Sequence, residues 1–226
     1  MVARMGFDLI IFDCDGVLID SEVISARMLI AELAGYGVRI DMAFVTRQFL
    51  GRSYPTVLRE VRDTFGVTLP DRFEADYRAR LLTAFRNDLR VMPGVQAALG
   101  ALTLPYCLAT SSSPERLAIS LDLTGLTGAF ARCSFTASEV ARGKPAPDLF
   151  LHAAARMGAD PARCLVIEDS LTGIRAGIAA GMQVWRFTGG SHLRGLDLTP
   201  PADATPHLTF DDFARLPALL AMEHSA

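Results

Sequence analysis

The chain has 226 residues, 50% of them hydrophobic, so it can bury a core of its own and is not a disordered segment. Its 22 Lys and Arg against 25 Asp and Glu give a formal net charge of -3, which leaves no basic excess to neutralise a nucleic-acid backbone. No stretch is long and apolar enough to span a bilayer and the four cysteines form no CxxC pair, so a cytoplasmic protein with reduced core thiols is expected.

The first predicted element is a strand, Phe7 to Phe12 (FDLIIF), nearly continuous in apolar residues as a strand buried on both faces of a parallel sheet must be. It runs straight into Asp13 and Asp15. Two like charges this close at the end of a buried strand are costly unless something uses them. From about Ser21 to Asp88 the pattern changes: SEVISARMLIAELAGYG, DMAFVTRQFLG, SYPTVLREVRDTFG and DRFEADYRARLLTAF have helical spacing, with Gly or Pro stops. Residues 21–88 are therefore expected to form a helical cap inserted after the first strand, and residues 1–20 and 89–226 an α/β core.

Met92 to Gly94 (MPG) mark the return, and strands then alternate with helices. Helices are expected at Pro93 to Leu102, Pro114 to Leu123, Pro147 to Met157 and Leu171 to Ala180. Strands are expected at Tyr106 to Ala109, running into TSSS, at Cys164 to Ile167, running into EDS, and at Gln183 to Phe187, running into TGG. One more strand near His207 to Phe210 and a final helix close the chain. Such alternation predicts right-handed crossovers and a doubly wound parallel sheet, whose ligands bind beyond the carboxyl ends of the strands.

In that fold the polar tips converge: Asp13 and Asp15, Thr110 and Ser111, Lys144 of ARGKPAPD, and Glu168 with Asp169. So many carboxylates need a cation among them, and an all-oxygen donor set suits Mg2+. A lysine, a hydroxyl and backbone N–H groups beside that cation favour phosphate, the arrangement used in phosphoryl transfer. One carboxylate of the pair can then attack phosphorus while its neighbour protonates the departing oxygen.

FDCDGVLIDSE, the LATSSS strand end, GKPAPDLF and VIEDSLTGIRAGIAAGM, in that order, resemble the four motifs of the haloacid dehalogenase-like hydrolase superfamily. The resemblance covers nearly the whole chain outside the insertion. It is greatest to the branch that holds β-phosphoglucomutase and sugar-phosphate phosphatases, whose helical cap follows the first strand. The resemblance implies that Asp13 is the nucleophile forming an aspartyl-phosphate. It implies that Asp15 is the general acid and then the base, with its backbone carbonyl on Mg2+. Thr110 then takes the place of the phosphate-binding hydroxyl with Ser111 as a backbone donor, and Lys144 neutralises phosphate and nucleophile. Asp169 is implied as a metal ligand and Glu168 as a ligand or its partner.

Dehalogenation is disfavoured, because haloacid dehalogenases lack an aspartate at the place of Asp15. The histidine and cap arginine of β-phosphoglucomutases fall at Ser25 and in the Ser53–Tyr54 region, with Arg52 beside the latter. Hydrolysis of a small phosphorylated sugar or sugar acid is therefore the leading expectation. The alternatives are mutase-type phosphoryl transfer and a non-enzymatic phosphate-accepting module.

Glu22, Arg52, Tyr54, Arg78 and Arg80 are candidate grips on the remote part of such a substrate. The run Ser111 to Ser113 also reads as a helix cap before Pro114. Gly173, Gly177 and Gly181 read as close helix-to-sheet packing, Trp185 as core, and His152, His192 and His207 as structural or surface residues. The expected partner is a small phosphorylated metabolite, with no nucleic acid and no membrane, and the chain is expected to be a monomer or weak homodimer.

Overall fold

The five strands foreseen in the sequence all form, and a short one joins them. The structure, a computed structural model, describes residues 6–49, 52 and 54–223, so Ser53 lies outside the described residues. The elements begin with β1 (Leu9–Phe12), followed by α1 (Glu22–Ala34), α2 (Met42–Gln48), α3 (Tyr54–Phe65), α4 (Phe73–Asp88) and α5 (Val95–Ala101). Then come β2 (Tyr106–Thr110), α6 (Pro114–Leu123), the single turn α7 (Thr127–Phe130), β3 (Ser134–Thr136) and α8 (Asp148–Met157). β4 (Cys164–Glu168), α9 (Leu171–Ala179), β5 (Gln183–Phe187), β6 (Leu208–Phe210) and α10 (Leu216–Glu223) complete the fold.

All six strands are parallel, in the order β3-β2-β1-β4-β5-β6. The chain steps outward from β1 through β2 to β3, then crosses back to β4 and continues the other way. The switch point therefore lies between β1 and β4, where a doubly wound sheet opens a crevice for ligands. Phe12 is level with both Leu108 and Ile167, and Asp13 N–H donates to the Ile167 carbonyl at 2.9 Å. The carboxyl ends of β1, β2 and β4 thus stand side by side.

Alternation along the strands divides the core into two faces. Leu9 and Ile11 of β1 pack with Cys107, Val166, Phe150 of α8 and Ile174 of α9. Ile10 and Phe12 pack on the other face with Leu108, Ile167, Val95 of α5, Leu121 of α6 and Leu216 of α10. Burial on both faces is why these strands read as continuous apolar runs. β3 escaped the sequence reading because it has three residues, only one of them large and apolar. Two glycines of α9 do let the helix close on the sheet: a Cβ on Gly177 would stand 2.6 Å from Val184. Gly181 does not, because nothing lies within 4 Å of it; its φ of +72° makes the turn after α9.

The segment from α1 to α4 adds Leu29, Val61, Phe73, Tyr77, Leu81 and Phe85 to the larger of the two hydrophobic clusters. It departs and returns through a narrow neck. Ile19 bridges Val91 in antiparallel fashion, Asp20 N–H donates to the Arg90 carbonyl at 2.9 Å, and Met92 N–H donates to the Leu18 carbonyl at 2.9 Å. Among the described residues no helix is long and apolar enough to cross a membrane. The four cysteines are free, and Cys14, Cys107 and Cys164 are buried.

Candidate active site

Lys144 ties the three strand ends together. Its Nζ donates to Asp13 Oδ1 at 2.5 Å, to Glu168 Oε1 at 2.8 Å and to the Ala109 carbonyl at 3.3 Å, and its side chain is 1% exposed. Burial alone would favour the neutral amine, but Asp13 and Glu168 hold the ammonium and push its pKa up. Glu168 is fully committed, since Oε2 accepts from Ser170 N–H at 2.7 Å and Ser170 Oγ at 3.0 Å. Burial works against its anion, yet Lys144 and these bonds hold the carboxyl below its usual range. Ser170 Oγ in turn accepts from Gly173 N–H and so caps α9. A Cβ on Gly173 would stand 1.7 Å from Glu168 Oε1, so the carboxylate needs glycine there.

Asp13, Glu168 and Asp169 are buried, and each offers an oxygen within 4.8 Å of the others. Burial first, then like-charged neighbours, push Asp13 and Asp169 well above the usual carboxylate range. Asp169 Oδ2 is buried without a hydrogen-bond partner. A hard divalent cation satisfies an orphaned carboxylate oxygen in an all-oxygen cluster and removes the repulsion, so this donor set fits Mg2+. Asp169 has the unspent oxygen. Glu168, with both oxygens engaged, is placed more as its partner.

Asp15 turns its carboxylate elsewhere. Oδ1 accepts from Ser21 Oγ and Arg116 Nη2, both at 2.6 Å, and Oδ2 accepts from Ser112 Oγ at 2.6 Å and Thr110 Oγ1 at 3.5 Å. Burial would raise its pKa, but the Arg116 guanidinium and the two serine hydroxyls hold it below the usual range. Ser113, next in the serine run, accepts from Arg116 N–H and caps α6, with Pro114 as the first helical residue. The cap expected of the run is therefore made by Ser113.

Above these groups lies a cavity of ≈ 100 Å³ where the sheet and the helical segment meet. Asp13, Asp15, Thr110 and Ser111 line it from the sheet, and Glu22, Arg52 and Tyr54 from the segment. Glu22 carries a carboxyl pushed up to about 8 by burial, with Asp15 adding to the shift. Ser25, at the place of the mutase histidine, also lines the cavity. Two cap candidates are not brought there. Arg78 pairs with Glu74 and borders a neighbouring cleft, and Arg80 pairs with Glu32 at the surface.

Four side chains of the site escaped sequence reasoning as participants. Ser21 and Ser112 stand beside motif residues, but only the fold shows that both grip Asp15. Arg116 looks like an ordinary helix arginine. His192, expected to be structural or superficial, is buried with Nε2 2.9 Å from Asp169 Oδ2, though not in hydrogen-bond geometry. The glycines beside it were the available signal: a Cβ on Gly16 or Gly190 would come within 3 Å of the His192 ring. His207 and His152 do act structurally, the first accepting from Val184 N–H and the second beside Glu139.

Residues 7–181 match the profile of the haloacid dehalogenase-like hydrolases. The chain is 31% identical over 204 residues to 6-phosphogluconate phosphatase of Escherichia coli, covering 89% of this chain and 91% of the relative. Among solved structures, it is similar to a conserved haloacid dehalogenase-like protein from Agrobacterium tumefaciens, with 37% identity, TM-score 0.79 and coverage of 96% and 99%. A hydrolase of that family from Deinococcus radiodurans, crystallised with phosphate and sodium, is 32% identical with TM-score 0.74 and 97% coverage of both chains.

Proposed function

The chain belongs to the haloacid dehalogenase-like hydrolase family, and from that premise we propose that it is a Mg2+-dependent phosphatase of a small phosphorylated sugar or sugar acid, working through an aspartyl-phosphate. The observation that carries this reading is the buried knot of Lys144, Asp13 and Glu168 beside Asp169, at the sheet's switch point. A relative named as a 6-phosphogluconate phosphatase and a family member crystallised with phosphate support it.

Asp13, with Oδ1 held by Lys144, attacks phosphorus; the P–O ester bond breaks, and the leaving oxygen takes a proton from Asp15. A water then gives its proton to Asp15 and attacks phosphorus, and the bond to Asp13 breaks to release phosphate. Thr110 and the amides after β2 hold the phosphoryl oxygens. Asp13, Asp169 and the backbone carbonyl of Asp15, with Glu168 in support, would hold Mg2+, which supplies charge stabilisation to the phosphoryl group. The donors on Asp15 suit its anion and hence the second half of the cycle. For the first half it must exchange one of them for the leaving oxygen. The helical segment, residues 21–88, acts as the cap that selects the substrate and sheds water from the site.

The test is phosphate release from a panel of sugar phosphates and sugar-acid phosphates, with and without Mg2+. Release should require the metal and fall at least ~10³-fold in Asp13→Asn. Release that survives both chelation and Asp13→Asn would remove the reading; interconversion of sugar phosphates without net release would replace it by a mutase.

A further inference from the structure

Arg116, in the first turn of α6, stands where the sheet meets the helical segment. Its Nη2 donates to Asp15 Oδ1 at 2.6 Å and to Ser25 Oγ at 3.2 Å, and the guanidinium carbon lies 5.1 Å from the ring centre of Phe85. Its Nε–H is buried without a partner. A guanidinium presents five N–H donors in a fixed planar fork, and a buried donor left unbonded costs stability. A ligand can recover that loss. Tyr54 Oη is likewise buried without a partner, and both residues line the cavity over Asp13 and Asp15. Two bonds are thus left unmade beside the cavity, one of them by a permanent cation, beyond the groups assigned to phosphate.

We infer that Arg116 and Tyr54 bind a carboxylate of the substrate, so that the protein acts on phosphorylated hydroxy acids in preference to phosphorylated polyols. This rests on the phosphatase reading and deepens it by choosing between the substrate classes left open there. A carboxylate has two oxygens to set against the unmade bonds of Arg116 Nε–H and the Tyr54 hydroxyl. A polyol hydroxyl in its place brings no charge to the guanidinium, whose one anionic partner is then Asp15, and a site built around such a bond rejects the analogue that lacks it. Because Arg116 also holds Asp15, the acid end of the substrate is read next to the residue that handles the leaving oxygen.

The test uses two pairs of esters that differ only at one carbon: 3-phosphoglycerate against glycerol 3-phosphate, and 6-phosphogluconate against sorbitol 6-phosphate. 4-Nitrophenyl phosphate serves as a generic ester. In at least one pair the acid should have a kcat/KM at least ~10-fold higher, and Arg116→Gln should shrink that ratio ~10-fold, chiefly through KM, with Arg116→Lys restoring part of it. Tyr54→Phe removes one hydroxyl from a ring stacked 5.3 Å from Tyr77 and is the milder variant; it should raise KM for the acid more than for the alcohol. An acid-to-alcohol ratio near one in both pairs overturns the inference. So does an Arg116→Gln that lowers acid and alcohol alike, which would leave Arg116 only the task of holding Asp15. Cleavage of 4-nitrophenyl phosphate without cleavage of either acid sinks the substrate class and spares the phosphatase reading; no release from any of the esters overturns both.

Discussion

The sheet ends and the helical segment above them hold their charges in opposite ways. At the sheet, Lys144, Asp13 and Glu168 have side chains 1%, 8% and 1% exposed, and removing Lys144 strands buried carboxylates. In the segment, pairs such as Arg72 with Asp76 and Arg52 with Glu60 are solvated, with side-chain exposures between 31% and 80%, and pairs of that kind contribute only about 0–1 kcal/mol. Aromatic contacts carry the segment instead: Tyr54 stacks on Tyr77 at 5.3 Å and Phe44 meets Phe49 edge-on at 5.4 Å. The chemistry proposed above sits on the part that cannot shift without loss. The selection proposed above is shared between that part, through Arg116, and the segment that can repack, through Tyr54.

The most severe way to test that contrast is to add one methyl to a glycine in each region. Gly173→Ala drives a Cβ into Glu168, and we expect a loss of about 3 kcal/mol or more in urea denaturation together with loss of phosphatase activity. Gly66→Ala, in the segment, meets nothing within 4 Å and suffers only from its φ of +67°, so about 1 kcal/mol is expected and activity should persist. Equal costs at the two sites would erase the distinction.

A smaller effect sharpens it from the sheet side. His192→Ala removes the ring beside Asp169, and calorimetric titration should show Mg2+ affinity falling roughly tenfold, as for residues that orient a metal ligand. An unchanged affinity would mean that His192 only fills space.

The smallest effect lies on the segment side. Glu22, raised to about 8 from an ordinary 4.5, binds its proton more tightly in the folded protein than in the unfolded chain. Its contribution is therefore fully present below pH 4.5 and is lost as pH rises through about 8. Glu22→Gln should gain on the parent protein over that range and level off above it, by about 1 kcal/mol or a few degrees in Tm, since the cavity still admits solvent at this side chain. A gap that narrowed with rising pH would show that the folded protein prefers the anion.

The strands that carry the motifs were legible because they are buried on both faces and read as unbroken apolar runs; FDLIIF, CLVI and QVWRF needed no tertiary knowledge. The placement of Asp13, Glu168 and Asp169 followed from parallel strands alone, since carboxyl ends must share one edge; Lys144 stands on the loop beyond the overlooked β3 and was placed by its motif. Arg116 and His192 were not legible for the complementary reason. Each lies on an element whose own pattern is satisfied without it, and only the packing of α6 against α1 and of the loop after β5 against Gly16 brings them to the site. The cap arginines show the same limit from the other side: Arg52, between two helical runs, reaches the cavity and Arg78, inside another, does not, and only the packing decides it.

The neck at Ile19 and Val91 bears on how such a chain can change over generations. Because Asp20 and Arg90 are already hydrogen-bonded neighbours, whatever is strung between them begins and ends at one place. Lengthening or exchanging that stretch adds a loop-closure penalty that grows only with the logarithm of its length, and it leaves the register of β1 against β2 untouched. New specificities can therefore be recruited by exchanging the stretch between those two residues, provided it keeps the apolar face it shares with the sheet's cluster, while the reacting groups keep the positions the sheet assigns them.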